Sequence, residues 1–395
     1  MALNRGCNVV AFVCSAVLVV GVGSGCADHY PRPVRREVVV GLGEFADDSL
    51  KSVTVIFRHG DRAPLLEDKT YPNMSMNDFP EGIGQLTKIG KLHMYQKGKL
   101  FRRLYHGFIS DLYRDREISI KTTNISRTFM SAQMVLTGMY ESEYYHKQMD
   151  LESVWQPIPI SIDSPDRTAI CANKCPYYKE FIDKELYDPI LKNINSENKN
   201  QMDELLSHLS KNYGQPIKVE QIFLLYDSFI SKVSKGLQLP EWIKPNYYQV
   251  MESVYIQILR RIYGNKKLQK LISGPLLKEI SLNMELRSNN SNYNTTRNMY
   301  LYAGHDMSLG TIMFFLGNNR IKLPEFGASI HFHLYQDKTM KYIIKVFYYH
   351  KWDDEKYEEM PIPICGNPCK LEDFIQLINE NFSTEWEKEC EKLEI

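Results

Sequence analysis

Arg58-His59-Gly60-Asp61-Arg62-Ala63-Pro64 brings two guanidinium groups and one imidazole into a single short segment. Guanidinium forks grip phosphate oxygens in pairs, and a neutral imidazole nitrogen can attack phosphorus. That combination is a chemistry for phosphate esters. The segment comes directly after Ser52-Val53-Thr54-Val55-Ile56-Phe57, an alternating run rich in β-branched residues that reads as a buried strand. Gly60 and Pro64 hold the segment itself as a loop, and in an open α/β sheet ligands bind beyond the carboxyl ends of strands. The bland alternative is a basic surface loop with an incidental histidine. Arg-His-Gly alone is weak; Arg62 and Pro64 sharpen it.

The segment resembles the signature of the histidine acid phosphatases, a branch of the larger histidine phosphatase group. The mutase-like branch shares Arg-His-Gly but usually lacks the Arg-x-Pro after it. The resemblance implies a His-Asp pair after a second, distant strand. Residues 298–303 read as that strand, and Gly304-His305-Asp306 comes next, leading into an apolar stretch at 307–316. It also implies an arginine at a helix start. Residues 117–121 read as a strand, Ser126 as an N-cap, and Arg127 falls in the first helical turn, where free N–H groups and the helix dipole favour an anion. Arg127-Thr128-Phe129-Met130-Ser131-Ala132 is similar to the family's stretch. So is Gly84-Gln85-Leu86-Thr87-Lys88-Ile89-Gly90, whose helix carries apolar Ile89, Leu92, Tyr95, Leu100 and Leu104 and reads as scaffold.

By this resemblance Arg58, Arg62 and Arg127 bind the phosphate, and His305 adds a donor. His59 is the nucleophile, forming a phosphohistidine, and Asp306 is the general acid and then the base for water. An acid must hold its proton to donate it, and an ordinary Asp loses it near pH ~4, so an acidic optimum is expected. No metal or cofactor is needed, because the arginines supply the charge. Asp61 is expected to orient an arginine rather than take a chemical step. His331-Phe332-His333 puts two histidines on one strand face with no third ligand nearby, and both read as structural.

The opening residues combine Arg5, an apolar run at 9–22 and small residues at 23–27, which reads as a secretory signal peptide over 1–26 rather than a membrane span. No later segment reads as a stable membrane anchor. The chain is expected to be secreted or lysosomal, with sequons at Asn73, Asn124, Asn289, Asn294 and Asn381; Asn124, three residues from Arg127, reads as too close to the site for a glycan. In an oxidising compartment cysteines are disulfide candidates first. The resemblance pairs Cys365 with Cys369 and Cys175 with Cys390, leaving Cys171 free, in exchange with Cys175, or bridging two chains. No Cys/His set has zinc spacing.

Lysines plus arginines number 48 and acidic residues 48, so bulk charge favours neither nucleic acid nor an anionic membrane. Strand signals on both sides of a helical block suggest one α/β domain split by an insert. The expected fold is a histidine-phosphatase-like α/β sandwich, 49–170 and 277–395, with a mostly helical cap inserted at 171–276. Helices are expected at 177–190, 202–211, 219–236 and 247–263, and an exposed loop at 288–296. The whole pattern resembles the prostatic and lysosomal type; the phytase branch usually has Thr-Asn after His-Asp, whereas Met307-Ser308 stand here. The expectation is an acid phosphatase acting on phosphate monoesters, with a homodimer suggested by family analogy alone. The alternative is a secreted binding or host-interaction protein on the same fold, which loss of His59 or Asp306 would have favoured.

Overall fold

The computed structural model describes residues 43–65, 76–141, 156–162, 175–186, 196–289, 296–382 and 386–391. The expected leader, Asn73, Cys171, Asn294 and most of the 288–296 loop lie outside them.

β-Branched and aromatic residues in alternation build the central strand β1 (Leu50–Arg58). Helix α1 (Lys88–Leu104) comes next, then β2 (Ile118–Thr122), α2 (Ser126–Met139) and the short β3 (Ser161–Ile162). A helical stretch succeeds them: α3 (Pro176–Glu180), a π-helical turn (Phe181–Leu186), α4 (Ser196–Tyr213), α5 (Val219–Ser234), α6 (Pro245–Gly264) and α7 (Lys266–Ser288). The chain then returns to the sheet with β4 (Met299–Gly304), α8 (Asp306–Phe315), β5 (Ser329–Gln336) and β6 (Tyr342–Tyr349). It ends in β7 (Glu358–Glu359), β8 (Cys369–Lys370), α9 (Leu371–Asn381) and α10 (Trp386–Glu391).

The sheet order is β3-β2-β4-β1-β5-β6-β7, with β8 also paired to β6. β2 and β4 lie parallel to their neighbours up to β1, whereas β5 and β6 run antiparallel. β1 therefore sits at the seam. Its register with β4 sets Arg58 opposite Gly304, so both strands end level and release their loops side by side. Period-two alternation feeds two cores. Val53, Val55, Phe57, Leu301 and Ala303 face α1 and α2; Ile56, Tyr302, Ile330, Phe332 and Val346 face α7, α8 and α9. Helices thus cover both faces of the sheet, as the sequence implies.

A third core belongs to the helical stretch, where Phe181, Leu205, Ile222, Phe229, Met251 and Ile258 are buried together. α7 joins two cores. Its first half adds Leu268 and Ile272 to the helical core, and its second half adds Leu276, Leu277, Ile280 and Met284 to the sheet core. The boundary expected at 276 therefore falls inside one helix, which continues through Pro275 because apolar positions on both sides of it are buried. The helix expected from 177 breaks its pattern at the π-helical turn, and the one expected from 202 begins at Ser196.

α1 is scaffold, and Leu100 and Leu104 are buried as expected, but its buried face is centred on other residues than Ile89, Leu92 and Tyr95. Gly90, Met94, Lys97, Phe101 and Leu104 point inward while Leu92 is 54% exposed. Close approach selects that face. A Cβ on Gly98 would collide with the Val135 carbonyl of α2, and one on Gly138 with the Tyr95 carbonyl of α1. Disulfides join Cys175 to Cys390 and Cys365 to Cys369, the pairs that the resemblance implies. His331 and His333 are buried in mid-strand, bonded to Tyr105 between them, to Ser329 and to Tyr335. Among the described residues no helix is long and apolar enough to cross a membrane.

Candidate active site

The loops released by β1, β4 and β2 meet at the carboxyl end of the parallel half. The backbone fixes them first. Arg58 N–H donates to Ala328 O at 2.9 Å, His59 N–H to Gly304 O at 3.0 Å, and Gly327 N–H to His59 O at 3.2 Å. Gly60 N–H donates to Ser131 Oγ at 3.1 Å, whose hydroxyl donates to Arg127 O at 2.7 Å, linking the loop to α2. Gly90 lets α1 lie against the Asp61 carbonyl, which a Cβ there would strike, and Thr87 N–H bonds that carbonyl at 2.9 Å.

His59 is buried, and its Nδ1 lies 2.8 Å from Gly60 O. A carbonyl can only accept, so Nδ1 carries the proton and Nε2 the lone pair. Burial, then the Arg127 and Arg58 charges, holds this imidazole well below its ordinary titration range. It is neutral, with Nε2 free of any bond among the described residues. The His305 ring stands edge-on to it at a centroid distance of 5.4 Å.

Three guanidinium groups surround this nitrogen. Arg58 donates Nη1–H to Pro324 O at 2.8 Å, and its Nη2 pairs with Asp306 Oδ2 at 2.9 Å. Arg62 forks onto Asp227 at 2.7 and 2.9 Å. Arg127 lies in the first turn of α2, its pKa brought down to about 10 by burial and by the neighbouring Arg62 charge. Ile125, not Ser126, is the N-cap, which leaves Arg127 as the second helical residue. Phe326 packs under the pair, its ring centroid 4.5 Å from Arg58 and 5.7 Å from Arg62. All three Nε atoms are buried with no hydrogen-bond partner. Buried donors are rarely left orphaned, and three in one cluster with the open His59 nitrogen are an arrangement able to receive an anion.

Asp306 opens α8, and its Oδ1 accepts its own helix's Met307 N–H at 2.8 Å. Burial alone would raise its pKa; Arg58 and Arg62 outweigh that and hold it below the ordinary carboxylate value. His305 is pushed down to about 3 by burial and by Arg127. Its Nε2 lies 3.1 Å from Thr123 Oγ1, which is 2.7 Å from Thr128 Oγ1. Thr128 Oγ1 can donate to Ile125 O at 2.8 Å, or turn toward Thr123. In the first arrangement His305 holds its proton on Nε2; in the second Thr123 donates to Nε2 and the proton sits on Nδ1. Two hydroxyl rotors thus decide whether a neutral His305 presents a donor.

The six expected site residues converge, and the structure adds Asp227, Phe326, Thr123, Thr128 and Ser131. It corrects Asp61, whose carboxylate pairs with His93 Nδ1 at 2.7 Å rather than with an arginine. The short loop turns Asp61 back toward α1, where the His93 ring stacks on Trp352 at 3.7 Å. Asp227 had a readable signal: a carboxylate within Phe223-Leu224-Leu225-Tyr226-Asp227 needs a partner if the helix buries it. Phe326 had none. Among the described residues no group of three or more His, Cys, Asp or Glu side chains is placed to hold a metal ion.

Known proteins resemble this chain in sequence and in fold. Human lysosomal acid phosphatase is 27% identical over 351 residues, covering 87% of this chain and 80% of the relative. Rat prostatic acid phosphatase is 29% identical over 350 residues, 86% and 89% of the two chains. Among solved structures, the Hafnia alvei phytase apo form superposes with a TM-score of 0.63 at 15% identity over 88% of this chain and 100% of that one. The Citrobacter braakii phytase gives 0.64 at 15% identity over 87% and 99%; at such identity the likeness is one of fold. The family model for the histidine phosphatase superfamily (branch 2) matches residues 49–349, over half the chain and all of the loops described above, and the chain belongs to that superfamily.

Proposed function

We propose that this chain is a secreted or lysosomal acid phosphatase that hydrolyses phosphate monoesters through a phosphohistidine on His59. The single observation that carries the reading is the neutral His59 Nε2, open among three guanidiniums whose Nε–H groups have no acceptor. Arg58, Arg62 and Arg127 hold the equatorial oxygens and stabilise the charge that concentrates there as the bond to the leaving group breaks. His59 Nε2 forms the bond to phosphorus, the ester P–O bond breaks, and the departing oxygen takes the Asp306 proton. Water then attacks phosphorus, gives a proton to Asp306, and the N–P bond breaks to release inorganic phosphate and neutral His59. The helical stretch 176–288 caps this end of the sheet and shapes access to it.

Asp306 refines the pH argument. Beside two arginines its carboxyl is ionised in the free enzyme throughout the mildly acidic range. A phosphate ester, whose second pKa lies near ~6, enters below that pH as a monoanion bearing a proton. Its charge relieves the arginines and its proton recharges Asp306, so the acidic preference comes from the substrate as much as from the enzyme.

The test is hydrolysis of p-nitrophenyl phosphate from about pH 4 to about pH 8, wild type beside His59→Ala, without added metal. Acid-favoured activity that the substitution abolishes, with ³²P trapped on histidine at rapid quench, is the expected result. Folded wild-type protein inactive across the range would overturn the reading and promote a binding protein on this fold.

A further inference from the structure

We propose that Asp227, on α5 of the helical stretch, is the positioning residue that fixes Arg62 for phosphate, so that this stretch completes the anion site rather than only covering it. The inference rests on the phosphatase reading above and adds a residue to it.

Arg62 Nη1 donates to Asp227 Oδ2 at 2.9 Å and Nη2 to Oδ1 at 2.7 Å, an end-on fork between side chains each 4% exposed. A guanidinium has an end edge and a side edge. Asp227 takes the end. The side edge, with Nε–H and the second Nη2–H, keeps a buried Nε that has no acceptor in the protein. The carboxylate therefore chooses which edge an incoming oxyanion meets, and the Phe326 ring at 5.7 Å limits rotation of the plane.

A structural role explains the pair poorly. Asp227 lies on a helix whose Ile222, Leu225, Tyr226 and Phe229 are all buried apolar positions. A buried ion pair is commonly no more stabilising than the apolar residues that would fill its space. Here the acid comes from a helix of the helical core and the arginine from the loop after β1, 165 positions apart in sequence. Asp306 is the other carboxylate whose charge Arg62 feels. Without Asp227, Arg62 would turn toward the general acid, losing a phosphate donor and pinning the proton donor in its ionised form.

The experiment is a double-mutant cycle on the full chain with Asp227→Asn, which keeps shape, and Arg62→Ala. Two readouts are taken: kcat/KM for p-nitrophenyl phosphate, and the Kd of inorganic phosphate by calorimetry. Asp227→Asn alone is expected to lower kcat/KM about 100-fold and weaken phosphate about tenfold, as for loss of one preorganised donor. In the Arg62→Ala background the same change should add less than about twofold, because Asp227 acts only through Arg62. Additive losses, or Asp227→Asn with wild-type constants, would overturn the inference. So would an Asp227→Asn protein that melts early but has wild-type kcat/KM and Kd while folded, since that is the signature of a purely structural pair. Wild type that binds phosphate without turnover would sink the catalytic reading and leave the cycle legible in Kd. Wild type that binds no phosphate would sink both.

Discussion

Two pairs of histidines share burial and depressed basicity, yet only one leaves a ring nitrogen open beside the arginines. His59 and His305 stand at strand ends; His331 and His333 stand in the middle of β5. His305 and His333 are both pushed down to about 3, burial being the largest cause in each. What separates the pairs is what occupies their nitrogens. Both nitrogens of His331 and of His333 are engaged by Tyr105, Ser329 and Tyr335. His59 has Nδ1 engaged and Nε2 open. His305 has Nε2 engaged, and its ring lies within the arginines' field. A low pKa is thus a statement about burial; reactivity is a statement about the unused lone pair and its charged neighbours.

The severest trial of this contrast is to exchange the consequences. His59→Ala should cost about 10⁴-fold or more in kcat, as removal of a nucleophile does elsewhere, with little change in Tm. His331→Ala should do the reverse. It leaves the Ser329 hydroxyl without its partner, at about 1–3 kcal/mol, and Tyr105 with His333 alone, and lowers Tm by several degrees with kcat intact in the folded fraction. Parallel kinetics and thermal melts on the two variants check both. A large activity loss in His331→Ala below its Tm would end the division into working and structural pairs.

Arg127→Ala comes next, at about 10³-fold in kcat/KM, because in the proposed mechanism it removes one of three donors to the charge formed in the transition state. Inhibition by inorganic phosphate should weaken in step. A smaller effect belongs to the hydroxyl relay. Thr123→Val leaves His305 Nε2 without its partner and removes the control over its proton, at about tenfold in kcat/KM. Thr128→Val instead leaves Thr123 with His305 as its natural acceptor, favouring the Nδ1–H form, and should retain more activity than Thr123→Val. Steady-state kinetics on the two valines decides the direction; the opposite order would place the working proton on Nε2.

The sheet side of the site was legible because each of its parts is contiguous. A strand running straight into Arg-His-Gly-Asp-Arg-Ala-Pro, or into Gly-His-Asp, carries its own geometry, since a strand end fixes where the next two or three side chains go. Asp61 shows the limit. Its place in the loop was readable but its direction was not, because that depends on Gly90 letting α1 come close enough to offer His93. Asp227 and Phe326 reach the site from segments with no motif, by packing between elements far apart in sequence. The face of α1 was half legible for a related reason. Leu100 and Leu104 are buried, but Gly98 and Gly138 decide which side can touch α2 and Gly90 which side meets the Asp61 loop, and a glycine has no hydrophobicity to count.

The last effect, which leaves activity untouched, is the most selective, because it uses proton binding to tell the histidine pairs apart. His333 is neutral in the fold down to about pH 3 and takes a proton near its ordinary 6.5 once unfolded. Between those limits the unfolded chain binds one proton more, so stability from this residue is full above 6.5 and drains as pH falls toward 3. His333→Gln cannot titrate, so its unfolding free energy should fall less steeply with acid, by up to about 1.4 kcal/mol per pH unit. Urea melts of both proteins at several pH values from about 4 to about 6.5 measure the difference. Saturating phosphate adds a second arm. An oxyanion among the arginines lowers the cost of protonating His305, so phosphate should flatten the acid slope of the wild type, while the gap between wild type and His333→Gln persists unchanged. A gap that closes with phosphate would mean the mid-strand histidine senses the site after all.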